Sequence, residues 1–334
     1  MALPDFSGSL SNYAHHDLTR HIGTIFPDKS VQLSQLLSEG NSDILLRDLA
    51  TLVSHRGVVF FKDQDLTIEQ QKQLVSKLGE LTGKPATSGL HRHPLTPDDS
   101  PLGTEVTVIS SASNRSVSLA DKPTRASNGW HTDITFEPVP SDYAILKIHT
   151  LPTAGGDTLI ALILHCSGYE AYDRLSTAYK KFLEGLNAVH SGEVFHAYAN
   201  LRGYEIPAGP RGAPLNVGKE LKATHPVIRT NPVTGYKSLF VNKTFTKRIV
   251  ELTSEESEET LNFLARHVSE NHDLQVRYRW EKNDIAIWDN RSTFHTATGD
   301  YEELRVGDRA VSLGEQPFYN PASKSRRADL GLSR

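Results

Sequence analysis

The chain has 334 residues, and its 36 Lys+Arg against 40 Asp+Glu leave a net charge of −4, which gives no reason to expect a nucleic-acid partner. A hydrophobic content of 37% with 23% charged residues describes a soluble globular protein, and the single cysteine, Cys166, excludes an internal disulfide or a thiolate metal cluster. No stretch approaches the roughly 20 apolar residues needed to span a bilayer, and the amino terminus lacks a basic region followed by an apolar run, so the expectation is a cytoplasmic protein with no membrane contact.

Residues 1–30 are polar, His-rich and marked by Pro and Gly, and read as an irregular N-terminal arm. Leu45, Leu46, Leu49, Leu52 and Val53 then recur at helical spacing over Asp43–Val53. The run Gly57–Phe61 reads as a short buried strand. Thr67 with Gln70 forms a capping box for a helix through Leu81. A long Gly/Pro/His-rich loop over 82–104 leads to a strand at Glu105–Ser110. Residues 111–127 show no periodicity, and a structureless stretch of that length is usually functional.

Strands are expected next at about 143–149 and 156–164. Tyr169–Leu186 reads as two helical segments broken near Ser176. Residues 190–222 form another Gly/Pro-rich excursion. His225–Arg229 and Lys237–Val241 flank the turn Asn231-Pro232-Val233-Thr234-Gly235 as a hairpin. Thr253 and Glu256 cap a helix over Glu255–Val268, whose acidic first turn suits the helix dipole rather than a metal. The last strands are Leu274–Trp280, Asp284–Asp289 and Arg309–Leu313, followed by a polar, solvated tail over 320–334 containing Lys324-Ser325-Arg326-Arg327. Many short strands with inserted helices suggest a β-sandwich or jelly roll. No repeat or linker divides the chain, so residues 1–334 read as a single domain.

The chemistry lies in His131-Thr132-Asp133 and, far downstream, His295. Two imidazoles and a carboxylate can hold a first-row metal on one face and leave the other open, as in non-haem Fe(II) oxygenases. If 130–135 is a strand, His131 and Asp133 leave the same face. His-x-Asp alone is weak: about one match is expected by chance, and a second, in His15-His16-Asp17, reads as solvated.

The surrounding text is far more specific. Asn128-Gly129-Trp130-His131-Thr132-Asp133-Ile134-Thr135-Phe136, Gly155-Gly156-Asp157-Thr158-Leu159, and Trp288-Asp289-Asn290-Arg291 with His295, Arg305 and Arg309 follow one another in order. Over about residues 20–320 the chain resembles the taurine/sulfonate dioxygenase family of Fe(II)- and 2-oxoglutarate-dependent oxygenases, in particular its fungal branch. The resemblance implies a double-stranded β-helix (jelly-roll, cupin-like) core with external helices and long insertions.

It also implies His131, Asp133 and His295 as iron ligands, with 2-oxoglutarate as co-substrate alongside O₂. Arg305 matches the arginine that forks onto the distal carboxylate of 2-oxoglutarate, and Thr158 the threonine bonded there. Arg309 matches the arginine on the substrate's sulfonate. His93 is the better match, beside His91, to a histidine against the substrate, and Ser127 stands near a substrate-contacting asparagine. Thr96 stands where the family's taurine enzyme has an aromatic hydroxyl, so taurine itself is in doubt. Members often form dimers or tetramers, and a homo-oligomer is the expectation.

One departure stands out. Where members pass quickly from Thr158-Leu159 into Ser167-Gly168-Tyr169-Glu170-Ala171-Tyr172, the apolar segment Ile160–Cys166 intervenes. It would reshape the pocket, extend a strand or weaken 2-oxoglutarate binding. The leading expectation is a dioxygenase acting on a small anionic substrate, a sulfonate first. Alternatives are the same chemistry on an amino acid or other carboxylate in biosynthesis, a non-catalytic metal-binding module, and a zinc hydrolase.

Overall fold

In this computed structural model, residues 4–111, 126–151, 162–297 and 304–332 are described. The first strands in chain order are β1 (His16–Asp17), β2 (Thr24–Phe26), β3 (Val58–Phe61), β4 (Val106–Ser110) and β5 (Ser141–Thr150). They are followed by β6 (Leu162–Ser167), β7 (Asn187–Ser191), β8 (Lys222–Pro226), β9 (Ile228–Thr230) and β10 (Lys237–Leu239). The last five are β11 (Thr246–Ile249), β12 (Gln275–Arg279), β13 (Ile285–Asp289), β14 (Thr293–Ala297) and β15 (Val306–Leu313).

A seven-stranded sheet, ordered β1-β2-β3-β13-β5-β15-β4, carries the architecture. Its central strands obey the two-residue period of the pleat. Val59, Phe61, Tyr143, Ile145, Ile285 and Ile287 pack with Leu45, Leu49 and Leu74 of the helices Ser42–Arg56 and Ile68–Leu81. Phe60, Leu146, Ile148, Ala286 and Trp288 point the other way, into a core shared with Val276, Tyr278 and Trp280. Both faces are covered, which is why β3 and β13 read as unbroken apolar runs. Smaller sheets, β12-β6-β14, β11-β7-β8 and β10-β9, complete a mainly-β fold with external helices.

Local sequence signals are realised closely. Both expected capping boxes form, Thr67 with Gln70 and Thr253 with Glu256. Ser176 caps the second of two short helices, Gly168–Asp173 and Thr177–Leu183. β9 and β10 pair as the expected hairpin. Gly57, at φ +75, ends the helix Ser42–Arg56 and turns it into β3; its carbonyl accepts from Asp289 N at 3.0 Å and Thr293 Oγ1 at 3.1 Å, tying this corner to the β13–β14 turn.

Four expectations are corrected. The first 30 residues are not an irregular arm throughout, because β1 and β2 extend the main sheet, β2 running parallel to β3. Buried Arg56 holds them there: its guanidinium donates to the carbonyls of Thr19, Arg20 and Gly23 and pairs with Asp17 at 3.1 Å. Nor is the basic stretch Lys324–Arg327 solvated throughout. Arg326 is only 2% exposed, donating to His21 O at 2.7 Å and pairing with Glu170 at 3.1 Å, while Arg327 Nε bonds the same carboxylate at 2.9 Å. Residues 193–202 of the 190–222 excursion form a helix, Glu193–Arg202.

Fourth, Trp130–Thr135 is not a strand. Only His131 pairs, as an isolated bridge to His295, and the chain then turns, with Ile134 at φ +50. A β-branched residue in that region is strained, and the turn is where Asp133 sits. Of the inserted segment Ile160–Cys166, the described part, Leu162–Cys166, lies within β6, central between β12 and β14. No helix among the described residues is long and apolar enough to cross a membrane.

Candidate active site

The site forms where the turn after residue 131 meets β14. Backbone bonds of 2.9 and 2.8 Å join His131 and His295 reciprocally, fixing the two imidazoles side by side. Asn290 sets the third group. Its Oδ1 accepts from Asp133 N at 3.1 Å and from Trp288 Nε1 at 3.0 Å, and its Nδ2 donates to Ser141 at 2.9 Å. Thr132 Oγ1 donates to Thr293 O at 3.1 Å, locking the turn to β14. The sequence signalled the segment Trp288–Arg291 but not this positioning role of Asn290.

One ligand atom each from His131, Asp133 and His295 lies within 4.8 Å of the others. The Nε2 atoms of His131 and His295 lie 3.9 and 3.7 Å from Asp133 Oδ1. His131 Nδ1 is 2.7 Å from Gly129 O, to which it donates, so Nε2 is the free lone pair. Asp133 Oδ2 is buried without a hydrogen-bond partner among the described residues. Burial works against ionising Asp133, but its neighbours, Arg309 first among them, outweigh it and hold the carboxyl well below its ordinary range. Burial keeps His131 and His295 neutral by lowering both. An ionised carboxylate, two neutral imidazoles and an orphaned buried oxygen are a donor set that fits a divalent metal.

Arg309 Nη1 stands 2.6 Å from Asp133 Oδ1. His93 lines the same cleft as Arg309; burial, then Arg309 and His91, push it down to about 3. Its Nδ1 accepts from Leu95 N at 3.2 Å, leaving Nε2 as the protonated nitrogen. Arg305 is buried, its guanidinium 6.0 Å from the Trp280 ring centroid, and its backbone is paired with Ser111. Gly307 between the two arginines is required by close approach: a Cβ there would lie 2.5 Å from Ile148 Cδ1 and from Lys147 O.

Ser127 is not brought into that cleft. It is exposed, and lines a separate small cavity with Trp130 and Lys243. Thr158 lies outside the described residues. His91 is buried on Glu137 at 3.3 Å, and Arg211 grips the same carboxylate through Nε at 2.5 Å and Nη2 at 2.9 Å. His225 contacts the carbonyls of Thr135 and Glu137 at 2.9 and 3.0 Å, bracing the turn beyond Asp133. Both are structural, as is buried Cys166.

His165 is the residue that sequence reading missed. It sits in the inserted segment, directly across from His295 on β14, fully buried, with ring centroids 5.9 Å apart. Neither of its ring nitrogens has a hydrogen-bond partner among the described residues, and burial pushes it down to about 3.

A β-sheet scaffold presenting a two-histidine, one-carboxylate cluster beside a cationic cleft defines the class of non-haem metal oxygenase sites. Residues 14–311 match the family described as "Taurine catabolism dioxygenase TauD, TfdA family". The alpha-ketoglutarate-dependent dioxygenase btcD of Neocamarosporium betae is 46% identical over 96% of this chain and 96% of its own length. A putative alpha-ketoglutarate-dependent sulfonate dioxygenase of Schizosaccharomyces pombe is 34% identical, covering 99% of this chain and 77% of that protein. Among solved structures, a putative alpha-ketoglutarate-dependent taurine dioxygenase from Burkholderia xenovorans superposes with a TM-score of 0.69 at 27% identity, over 93% of this chain and 92% of that one. The chain belongs to the TauD/TfdA family and is one of its alpha-ketoglutarate-dependent dioxygenases.

Proposed function

We propose that this dioxygenase uses Fe(II), held by His131, Asp133 and His295, to oxidise an organic anion seated on Arg309, with 2-oxoglutarate consumed to succinate and CO₂. The observation that carries this reading is the convergence of the three ligand atoms within 4.8 Å beside a buried, ionised Asp133. Bound there, Fe(II) would supply the redox chemistry that couples O₂ and 2-oxoglutarate decarboxylation to substrate oxidation.

The chain's own residues do the placing. Gly129 O and the bridge to His295 fix the imidazoles. Arg305, buried just before β15, would fork onto the distal carboxylate of 2-oxoglutarate, with Thr158 as its partner there. Arg309 and the neutral Nε2–H of His93 would take the substrate's anion. Ser127 has no support for a substrate role from its exposed position. The seven-stranded and β12-β6-β14 sheets, facing each other across the Trp280–Trp288 core, support a double-stranded β-helix.

A carboxylate-bearing substrate of a biosynthetic oxidation is the preferred reading, since Thr96 lines the cleft where the family's taurine enzyme has an aromatic hydroxyl. A sulfonate is the second, favoured by the Schizosaccharomyces relative. Purified protein loaded anaerobically with Fe(II) should form succinate from 2-oxoglutarate, and do so faster with a carboxylate panel than with taurine. Sulfite release from sulfonates would select the second reading. Retained turnover in an iron-loaded His131→Ala protein would overturn the ligand assignment.

A further inference from the structure

The cleft beside Arg309 is far larger than a two-carbon anion needs. It encloses about 530 Å³, within the ~300–1,000 Å³ typical of sites that surround drug-sized ligands. Its chemistry is graded. The inner end carries Arg309 and His93, next to Asp133. The rest of the lining combines Thr and Ser hydroxyls with an apolar and aromatic set: Leu95, Ile109 of β4, Phe195, Tyr198 and Tyr204. Phe195 stands edge-on to His93 at 4.9 Å, so this wall begins where the cationic end stops. Phe195 and Tyr198 are three apart on the helix Glu193–Arg202 and therefore share a face. Tyr204 follows just past the helix and leaves 45% of its surface exposed. Half-exposed large rings rimming a concave polar-ended site are characteristic of a ligand surface.

We infer that Phe195, Tyr198 and Tyr204 form the substrate-selecting wall, and that the primary substrate is an amphipathic organic acid with an extended apolar or aromatic body behind its anionic group. This rests on the reading of Arg309 as the anion holder. The anionic head would be fixed beside the metal ligands and the body laid along the aromatic helix face, which selects by length and shape rather than by charge.

The test uses the full chain with Fe(II) and 2-oxoglutarate under anaerobic conditions, where substrate entry perturbs the visible charge-transfer band of the complex. The probes are straight-chain carboxylates from acetate to decanoate, 4-phenylbutanoate, and taurine. Dissociation constants should fall several-fold per added methylene until the cleft is filled, with 4-phenylbutanoate tighter than butanoate. Tyr198→Ala with Tyr204→Ala should cost the long members at least tenfold more than acetate, and Tyr204→Leu should restore part of that loss. Arg309→Met should weaken every member by a similar factor. If the band forms and Arg309→Met acts but chain length has no effect, or taurine binds tightest, the wall is refuted alone. If no band forms, or Arg309→Met changes nothing, the reading of the site falls and the wall with it.

Discussion

Arg309 Nη1 and Asp133 Oδ1 are 2.6 Å apart, and that oxygen is the one facing the Nε2 atoms of both His131 and His295. A guanidinium and a divalent cation therefore compete for one carboxylate oxygen. Removing the arginine should tighten metal binding while weakening anion binding. Arg309→Met is expected to lower the Mn(II) dissociation constant by at least ~10-fold, because repulsion between a guanidinium and a divalent cation ~4 Å apart is about 2 kcal/mol even with the screening of bulk water. Calorimetric titration with Mn(II), without substrate, measures this directly. Weaker binding in the variant would mean that Arg309 organises Asp133 instead of competing with the metal.

The Glu137 carboxylate is fully buried and held by Arg211 and His91. Glu137→Ala would strand a buried guanidinium, at a cost of about 3–5 kcal/mol. The denaturant midpoint should drop accordingly, and the double variant Glu137→Met/Arg211→Met should recover most of it. A single variant as stable as the parent would show that the pair contributes nothing net.

Acid should destabilise the protein through its buried neutral histidines. Burial, then Arg229, brings His225 from an ordinary 6.5 down to about 4. Between those values the unfolded chain binds the proton and the folded chain does not, so stability rises with pH through this window. It is complete above about 6.5 and lost as pH falls toward about 4. His55, also brought to about 4 by burial, adds to the trend. Melting temperatures measured from pH 7.5 down to 4.5 should fall steadily, and less steeply in His225→Gln. An identical slope in that variant would remove His225 from the account.

His165 buries two ring nitrogens without hydrogen bonds among the described residues, packed against Phe60, Trp288 and His295. An apolar replacement relieves that desolvation. His165→Leu should hold or raise stability, by ~1 kcal/mol at most. A loss exceeding that figure in thermal or denaturant unfolding would assign the imidazole a partner.

What could be read from the sequence was what depends on near neighbours. The capping boxes at Thr67 and Thr253 involve residues three apart, and both form. The apolar run Val58–Phe61 declares its own burial, and the His131, Asp133 and His295 types declare a metal-binding chemistry. Backbone path was less legible: nothing in Thr132-Asp133-Ile134 announces that Ile134 takes a positive φ, so a strand there stayed admissible. Long-range ion pairs were opaque for the same reason. Asp17 and Arg56, or Glu170 and Arg326, look like solvated charges until the fold brings each pair together and withdraws Arg56, Glu170 and Arg326 from water. The helix Glu193–Arg202 was hidden among Gly and Pro, and with it the aromatic wall.

The hold of Arg326 on His21 and Glu170 has a consequence for synthesis. Arg326 reaches His21 O across 305 positions of chain. During translation, residue 21 waits for its latch until 305 further residues have been made, and contacts of such sequence separation form slowly. A ribosome-stalled chain halted before residue 326 should thus leave its leading strands open to protease while the later helices are already protected.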